Sequence, residues 1–347
     1  MGYYKIKIIS ILCFFILFSL NPLACTSENK IKNRLTKYHG FNIEDLTFED
    51  AGYKGKNIIH SLEWWYFDAV FTNNYSIEYH IDIFSKLDIG FAVSMLNIYQ
   101  NGTLISHARQ MHSLKEFNYE TKESLLWNLK EQKLTGIIDE QGNWIFNITV
   151  TMNNNAIDLE FKSNTQGWKS KILNMWCWGI IQPKADVSGT LTIDDETKNV
   201  VGHGYQEHGW DGKIPQVRGW YWGKIYGETL NIIWTNVIKY PWKQYLMLVV
   251  NEDKGNYLNV PVKDIHFKLT DYKTIDGEKI PTTFHFNVDN KLVYIDVMAK
   301  ANTITHQQSL GFFNYWRYHC NVTGILKYNS TSEYIDSVQI MDLTKFW

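Results

Sequence analysis

The chain has 347 residues, with 34 basic and 36 acidic side chains and a formal net charge of -2. That length accommodates two domains with cores of their own, and the balanced charge leaves no electrostatic footprint for nucleic acid. Aromatic residues make up 15% of the sequence, including 14 Trp and 21 Tyr, side chains that suit a core and a lined cavity equally well.

Residues 1–25 read as a signal peptide. Lys5 and Lys7 precede the apolar run "IISILCFFILFSL" (8–20), which is followed by Asn21, Pro22 and "LAC" ending at Cys25. Thirteen residues are too few to span a bilayer comfortably. Cleavage near Ala24 and lipid attachment at Cys25 both fit the pattern, and the second would hold the protein at a membrane surface. Either way the expectation is an exported protein, extracytoplasmic or at the cell surface. Export leaves Cys177 and Cys320, both in aromatic strands, where buried free thiols are expected rather than a disulfide framework.

The first strong element is "HSLEWWYFDAVF" (60–71). As a strand it points Trp65 and Phe67 to one face and Trp64 and Tyr66 to the other, so both faces need cover. That fits a doubly buried core strand or a pocket wall. "VFTNNYSIEYHIDIF" reads as a hairpin turning at Asn73-Asn74, with Glu78, His80 and Asp82 on one face expected to be solvated. Asn101-Gly102 marks a second hairpin. Residues 122–134 ("KESLLWNLKEQKL") offer the one helix expectation. The runs 146–152 and 156–161 alternate around an asparagine cluster at 153–155 and predict a third hairpin, with further turns at 194–199, 252–256 and 275–279. The chain is predicted to be all-β.

The segment "GTLTIDDETKNVVGHGYQEHGWDG" (189–212) carries the chemistry. On an extended strand Gln206, His208 and Trp210 share one face, and Tyr205 and Glu207 the other. The glycines at 202, 204, 209 and 212 permit bulges that re-aim side chains. Hydrogen-bonded polar groups on a rim strand are the plain reading, and a reactive site is the sharper one. Next, "RGWYWGKIYG" at 218 echoes "LEWWYFDAVF" at 62, an offset of 156 residues. Two similar β-domains, 26–215 and 216–347, account for the echo. The alternation puts some rings of Trp64, Trp65, Trp210, Trp220 and Trp222 in a pocket. No nucleotide-binding glycine loop, nucleophile elbow or HExxH motif is present.

"HSLEWWYF", then G-x-Y-x-[DE]-H-x-W, then "FFNYWRYHCNVTG" (312–324) resembles the carotenoid 1,2-hydratase (hydroxyneurosporene synthase) and AttH family over about residues 45–325. The resemblance implies two lipocalin-like barrels side by side, no cofactor, and an apolar pocket for a polyene or terpenoid-like molecule. It places the family's histidine and second tryptophan on His208 and Trp210, and its preceding aspartate on Glu207. Glu63, Trp64, Trp65, Tyr66, Tyr205, Trp220, Trp222 and Trp234 become candidate substrate contacts. Where the hydratase pattern has Tyr-x-Asp, this chain reads Trp234-Thr235-Asn236, and an amide cannot supply the proton. Glu207, Asp211 and Glu63 remain as donors for hydration or cyclisation of a C=C bond, a neutral acid in an apolar pocket being able to give the proton. A non-catalytic carrier of a hydrophobic ligand is the competing reading, and a monomer is expected. Mass spectrometry of the native protein should find Met1 absent and an N-terminus at or near Cys25.

Overall fold

The computed structural model describes residues 38–346 apart from 56–60, 87–88, 120–124, 213–216, 240–242 and 310–312. The expectations for the leader and Cys25, and the division at Pro215, lie outside the described residues.

The first sheet is built from β1 (Ile43–Asp45), β2 (Ser61–Phe71), β3 (Tyr75–Lys86), β4 (Ile89–Gln100), β5 (Thr103–Ser113) and β6 (Phe117–Asn118). It continues with β7 (Leu125–Leu129), β8 (Gln132–Ile138), β9 (Trp144–Met152), β10 (Asn155–Ser163), β11 (Trp168–Ile172), β12 (Trp176–Ile193) and β13 (Glu196–Gly212). The second contains β14 (Val217–Tyr226), β15 (Leu230–Lys239), β16 (Lys243–Glu252), β17 (Tyr257–Asn259) and β18 (Ile265–Ile275). Its last strands are β19 (Glu278–Asp289), β20 (Val293–Ser309), β21 (Phe313–Tyr328) and β22 (Thr331–Phe346). The first sheet runs β5-β4-β3-β2-β13-β12-β10-β9-β8-β7-β6, with β11 on β12 and β1 on β11; the second runs β17-β16-β15-β14-β22-β21-β20-β19-β18. Both are antiparallel and curled, a near-barrel beside a half-barrel of the lipocalin-like kind.

Each sheet's first long strand pairs with the next strand and with the last: β2 with β3 and β13, β14 with β15 and β22. The aromatic echo therefore occupies equivalent places in two repeats of one topology.

Turn chemistry sets the registers. Asn101 (φ 51°) and Gly102 (φ 74°) supply the left-handed pair that a tight hairpin needs. Asp276 (φ 50°) and Gly277 (φ 83°) do the same between β18 and β19, and Asn153 (φ 56°) turns β9 into β10.

Of the helix expected at 122–134, the described residues 125–134 belong instead to the β7–β8 hairpin, turning at Lys130 (φ 55°). Trp127, Leu129 and Leu134 are all fully buried. A helix would have sent Trp127 and Leu129 to faces about 200° apart, whereas a strand sends both into one core.

Three apolar layers result. Trp65, Phe67, Ala69 and Phe71 of β2 enter the interior of the first sheet with Tyr79, Trp127 and Phe146. Tyr221, Trp234, Phe284, Phe286, Trp316 and Tyr318 fill the second. Between the sheets lie Tyr66, Trp178, Tyr205, Trp222, Ile233 and Val249, with Trp64 and Trp220 packed against them. Both faces of β2 are covered, one by its own barrel and one by the other sheet.

Charges are buried in that middle layer as well. Asp68, Glu78, Lys224, Arg317 and Asp342 are each at most 4% exposed. Arg317 Nη1 donates to the Tyr66 hydroxyl at 2.7 Å and lies 3.6 Å from Glu78 and 3.8 Å from Asp342. Its Nη2 donates to the Ile77 carbonyl at 3.3 Å. Lys224 pairs with Asp68, under the rings of Tyr205, Trp222 and Tyr226. Lys184, on β12 where its pairing passes from β11 to β10, reaches across to Asp253 at 3.0 Å and to the carbonyls of Gly227 and Glu228.

Glu78 thus corrects the expectation of a solvated face. The second sheet covers it, and Tyr99 and Asn97 donate to its carboxylate at 3.1 and 3.0 Å. Removing one partner of a buried ion pair strands the other charges in a poor dielectric. Arg317→Met should therefore lower the unfolding free energy by roughly 3–5 kcal/mol in urea titration. A loss below about 1 kcal/mol would place the pair among those worth little, as at an exposed surface.

Candidate functional site

The interior of the first sheet holds a histidine–carboxylate pair. On β2 and β13 the register sets His208 opposite Trp65 and Gln206 opposite Phe67. His208 Nε2 lies 2.9 Å from Glu63 Oε1, and Nδ1 lies 2.6 Å from the Asp50 carbonyl. A carbonyl can only accept, so Nδ1 carries a hydrogen and Nε2 is left facing Glu63 at hydrogen-bonding distance. His208 is fully buried and Glu63 is 1% exposed. The Lys54 amide also donates to Glu63 Oε1 at 2.8 Å, while Oε2 has no hydrogen-bond partner among the described residues.

A short 3₁₀ turn, Phe48–Ala51, supplies the supporting carbonyls. Thr47 and Asp50 close it as a capping box, and Lys169 holds the Asp50 carboxylate at 2.9 Å. Those contacts keep Asp50 below the usual carboxylate range, although burial works in the opposite direction. Trp65 donates to the Ala51 carbonyl at 2.9 Å, which fixes its indole flat against the His208 ring, 4.4 Å away at 8°. Trp210 flanks the same ring at 5.0 Å.

The pleat sends Glu207 to the other face, into the layer between the sheets. There it accepts from Tyr205 at 2.6 Å, Trp178 at 2.7 Å and Trp64 at 3.0 Å. Burial raises the Glu207 carboxyl above its ordinary value while these donors pull it down. A carboxylate so fully engaged is an anchor for three rings. Gly209 makes room for this, since a Cβ there would meet Trp64 Cζ2 at 2.1 Å.

The remaining candidates are dispersed. A register shift between Gly209 and Gly212 leaves Asp211 exposed at φ 57°. Trp64, Tyr66, Tyr205, Trp220 and Trp222 belong to the layer between the sheets. Trp234 packs on Phe267, Phe284 and Phe286 inside the second sheet. Asn236 shares that face and donates to Gln244 at 3.0 Å, so it does not join His208. Both thiols are free, Cys320 buried and Cys177 half-buried.

Two surface clefts of about 340 Å³ each, one beside Val70, His203 and Tyr226 and one beside Phe41, Lys171 and Tyr245, do not include His208 or Glu63 in their linings.

Reasoning from sequence missed Asp50, Asp68, Lys224, Arg317 and Asp342. Arg317 did carry a signal, a lone guanidinium inside the aromatic run "YWRYHC". Asp342 is pushed up to about 7, first by burial and then by Glu78, with Arg317 opposing. In the unfolded chain an aspartate titrates near ~3.9. Between those values the folded state binds the extra proton, so this contribution to stability is complete below the lower value and lost as pH rises through the upper. The urea midpoint should fall between about pH 4 and pH 7 and level off above, and Asp342→Asn should flatten that slope. A wild-type midpoint constant over this range would contradict the raised value.

No family model matches the chain, and no curated protein matches it. Solved structures do. A protein from Nitrosomonas europaea assigned to AttH superposes with a TM-score of 0.62 at 12% identity, covering 87% of this chain and 97% of that one. Kievitone hydratase from Nectria haematococca gives 0.56 at 11% identity, covering 90% and 96%. CghA gives 0.53 at 10% identity, covering 83% and 88%. Over nearly its whole described length, the chain has the AttH-like fold of two lipocalin-like sheets.

Proposed function

We propose that this protein is an exported enzyme that protonates a carbon–carbon double bond of a hydrophobic, polyene or terpenoid-like molecule without a cofactor, leading to hydration or cyclisation. The observation that carries the reading is the 2.9 Å contact of His208 Nε2 with Glu63 Oε1, a fully buried pair whose imidazole stacks against Trp65. An alkene is a very weak base, so its π electrons take a proton only from an acid held out of water. The resulting carbocation is stabilised by the negative faces of Trp65 and Trp210. In hydration, a water oxygen adds to the cation and returns its surplus proton to the Glu63–His208 pair. In cyclisation, a second double bond adds, and the pair recovers the proton lost from carbon.

The lipocalin-like fold supports a hydrophobic ligand, and the order of basic, apolar and small residues in 1–25 supports export. Because His208 and Glu63 are covered by packed side chains, the substrate has to displace interior groups to reach them. Trp64, Tyr66, Trp220 and Trp222 then serve to hold the two sheets together, and direct substrate contact falls to Glu63, Trp65, His208 and Trp210.

The test is turnover of a panel of acyclic polyenes and terpenoids, followed by absorbance and by mass gain of one water. Glu63→Gln should lower the rate by roughly 10²- to 10⁴-fold with the fold intact, the usual scale of general acid catalysis. Asn236→Asp should change it little. Tight binding of the panel with no turnover would favour the carrier reading, and a fully active Glu63→Gln would remove the pair from the chemistry.

A further inference from the structure

We infer that Gln206 takes a hydroxyl oxygen of the ligand, so that the interior of the first sheet selects hydroxylated molecules over purely hydrocarbon ones. The inference rests on the reading of Glu63 and His208 as the reacting pair and names the substrate class they serve.

Gln206 is fully buried, yet neither Oε1 nor Nε2 has a hydrogen-bond partner among the described residues. Buried amides are nearly always paired, and an orphaned one is costly to the fold. The side chain points to the reacting face: Gln206 is opposite Phe67 on β2 and two residues before His208, about 7 Å along the strand.

Across β13 it faces Gln182, where the pairing of β12 is interrupted on both sides. Gln182 spends its Nε2 on Ser163 Oγ at 2.8 Å, the Phe161 carbonyl at 3.1 Å and the Trp144 carbonyl at 3.3 Å. Its Oε1 is left without a partner, as are Glu63 Oε2 and Trp127 Nε1 on the same interior. Gln182 is thus fixed by the fold while Gln206 is not.

A primary amide offers an accepting oxygen and a donating nitrogen, and a hydroxyl can meet each of these atoms, donating to Oε1 and accepting from Nε2. A hydrocarbon answers neither. Sites built around such a group reject the analogue that lacks it far more strongly than an apolar pocket rejects a missing methylene.

Farnesol and farnesene share a skeleton and differ in the hydroxyl. Tryptophan quenching and calorimetry should show the wild type binding farnesol at least about tenfold more tightly. Gln206→Leu should bind the two alike, and its ligand-free melting temperature should equal or exceed that of the wild type because the orphaned amide is gone. Equal wild-type affinities, a preference that survives in Gln206→Leu, or a melting temperature several degrees lower in the variant would each overturn the assignment. Binding of neither compound by the wild type would overturn the hydrophobic-ligand reading itself, and this assignment with it.

Discussion

Arg317 is the group on which the arrangement of the two sheets depends. It sits in the middle layer without exposure, bonded to Tyr66 and the Ile77 carbonyl of the first sheet and close to Asp342 of its own. A guanidinium cannot lose its proton in a protein interior, so its charge has to be answered wherever the fold places it. Glu78 and Asp342 answer it, and Asp68 answers Lys224. Hydrogen bonds from Arg317 to the Tyr66 hydroxyl of β2 and the Ile77 carbonyl of β3 hold β21 in register against them.

That register matters because β2 and β13 serve two layers at once. One face of each carries rings and charges of the middle layer, and the other carries the Glu63–His208 pair. Glu207 and His208 are neighbours in sequence but lie on opposite sides of the sheet. Glu207 is satisfied by two indoles and a phenol, which anchors the packing of Trp64 and Trp178. His208 is held by a backbone carbonyl, a carboxyl group and a flat indole, away from solvent. The same pleat therefore separates Glu207, in the layer between the sheets, from the Glu63–His208 pair inside the first.

Polar atoms without partners among the described residues occur on the inner face, at Glu63, Gln206, Gln182 and Trp127. Each lowers stability, by about 1–3 kcal/mol when a buried group is unanswered. Sites that sacrifice stability in this way are commonly the ones that bind or react. Unpartnered polar atoms occur inside the second sheet as well, at Trp234, Asn236, Trp316 and Tyr318, so what sets the first interior apart is the histidine–carboxylate pair among them.

Much of this was legible in the sequence. Alternation determined that the chain is all-β, that Trp64 and Trp65 face opposite ways and that Gln206, His208 and Trp210 share a face, because side-chain direction in a strand follows from position alone. The Asn-Gly and Asp-Gly turns are likewise local, as is the aromatic echo between the two repeats. The segment at 122–134 misled because its short runs of Leu and Lys suit a helix, and only the core that receives Trp127 and Leu129 makes it a hairpin. Partnership could not be read in this way. Glu63 and His208 are 145 residues apart, and Tyr66 and Arg317 are 251 apart. Which layer covers Glu78, which carboxylate meets His208 and which amide lacks a partner among the described residues all depend on the pairing of β2 with β13 and the docking of one sheet on the other. Those are long-range contacts, and no local pattern of residues encodes them.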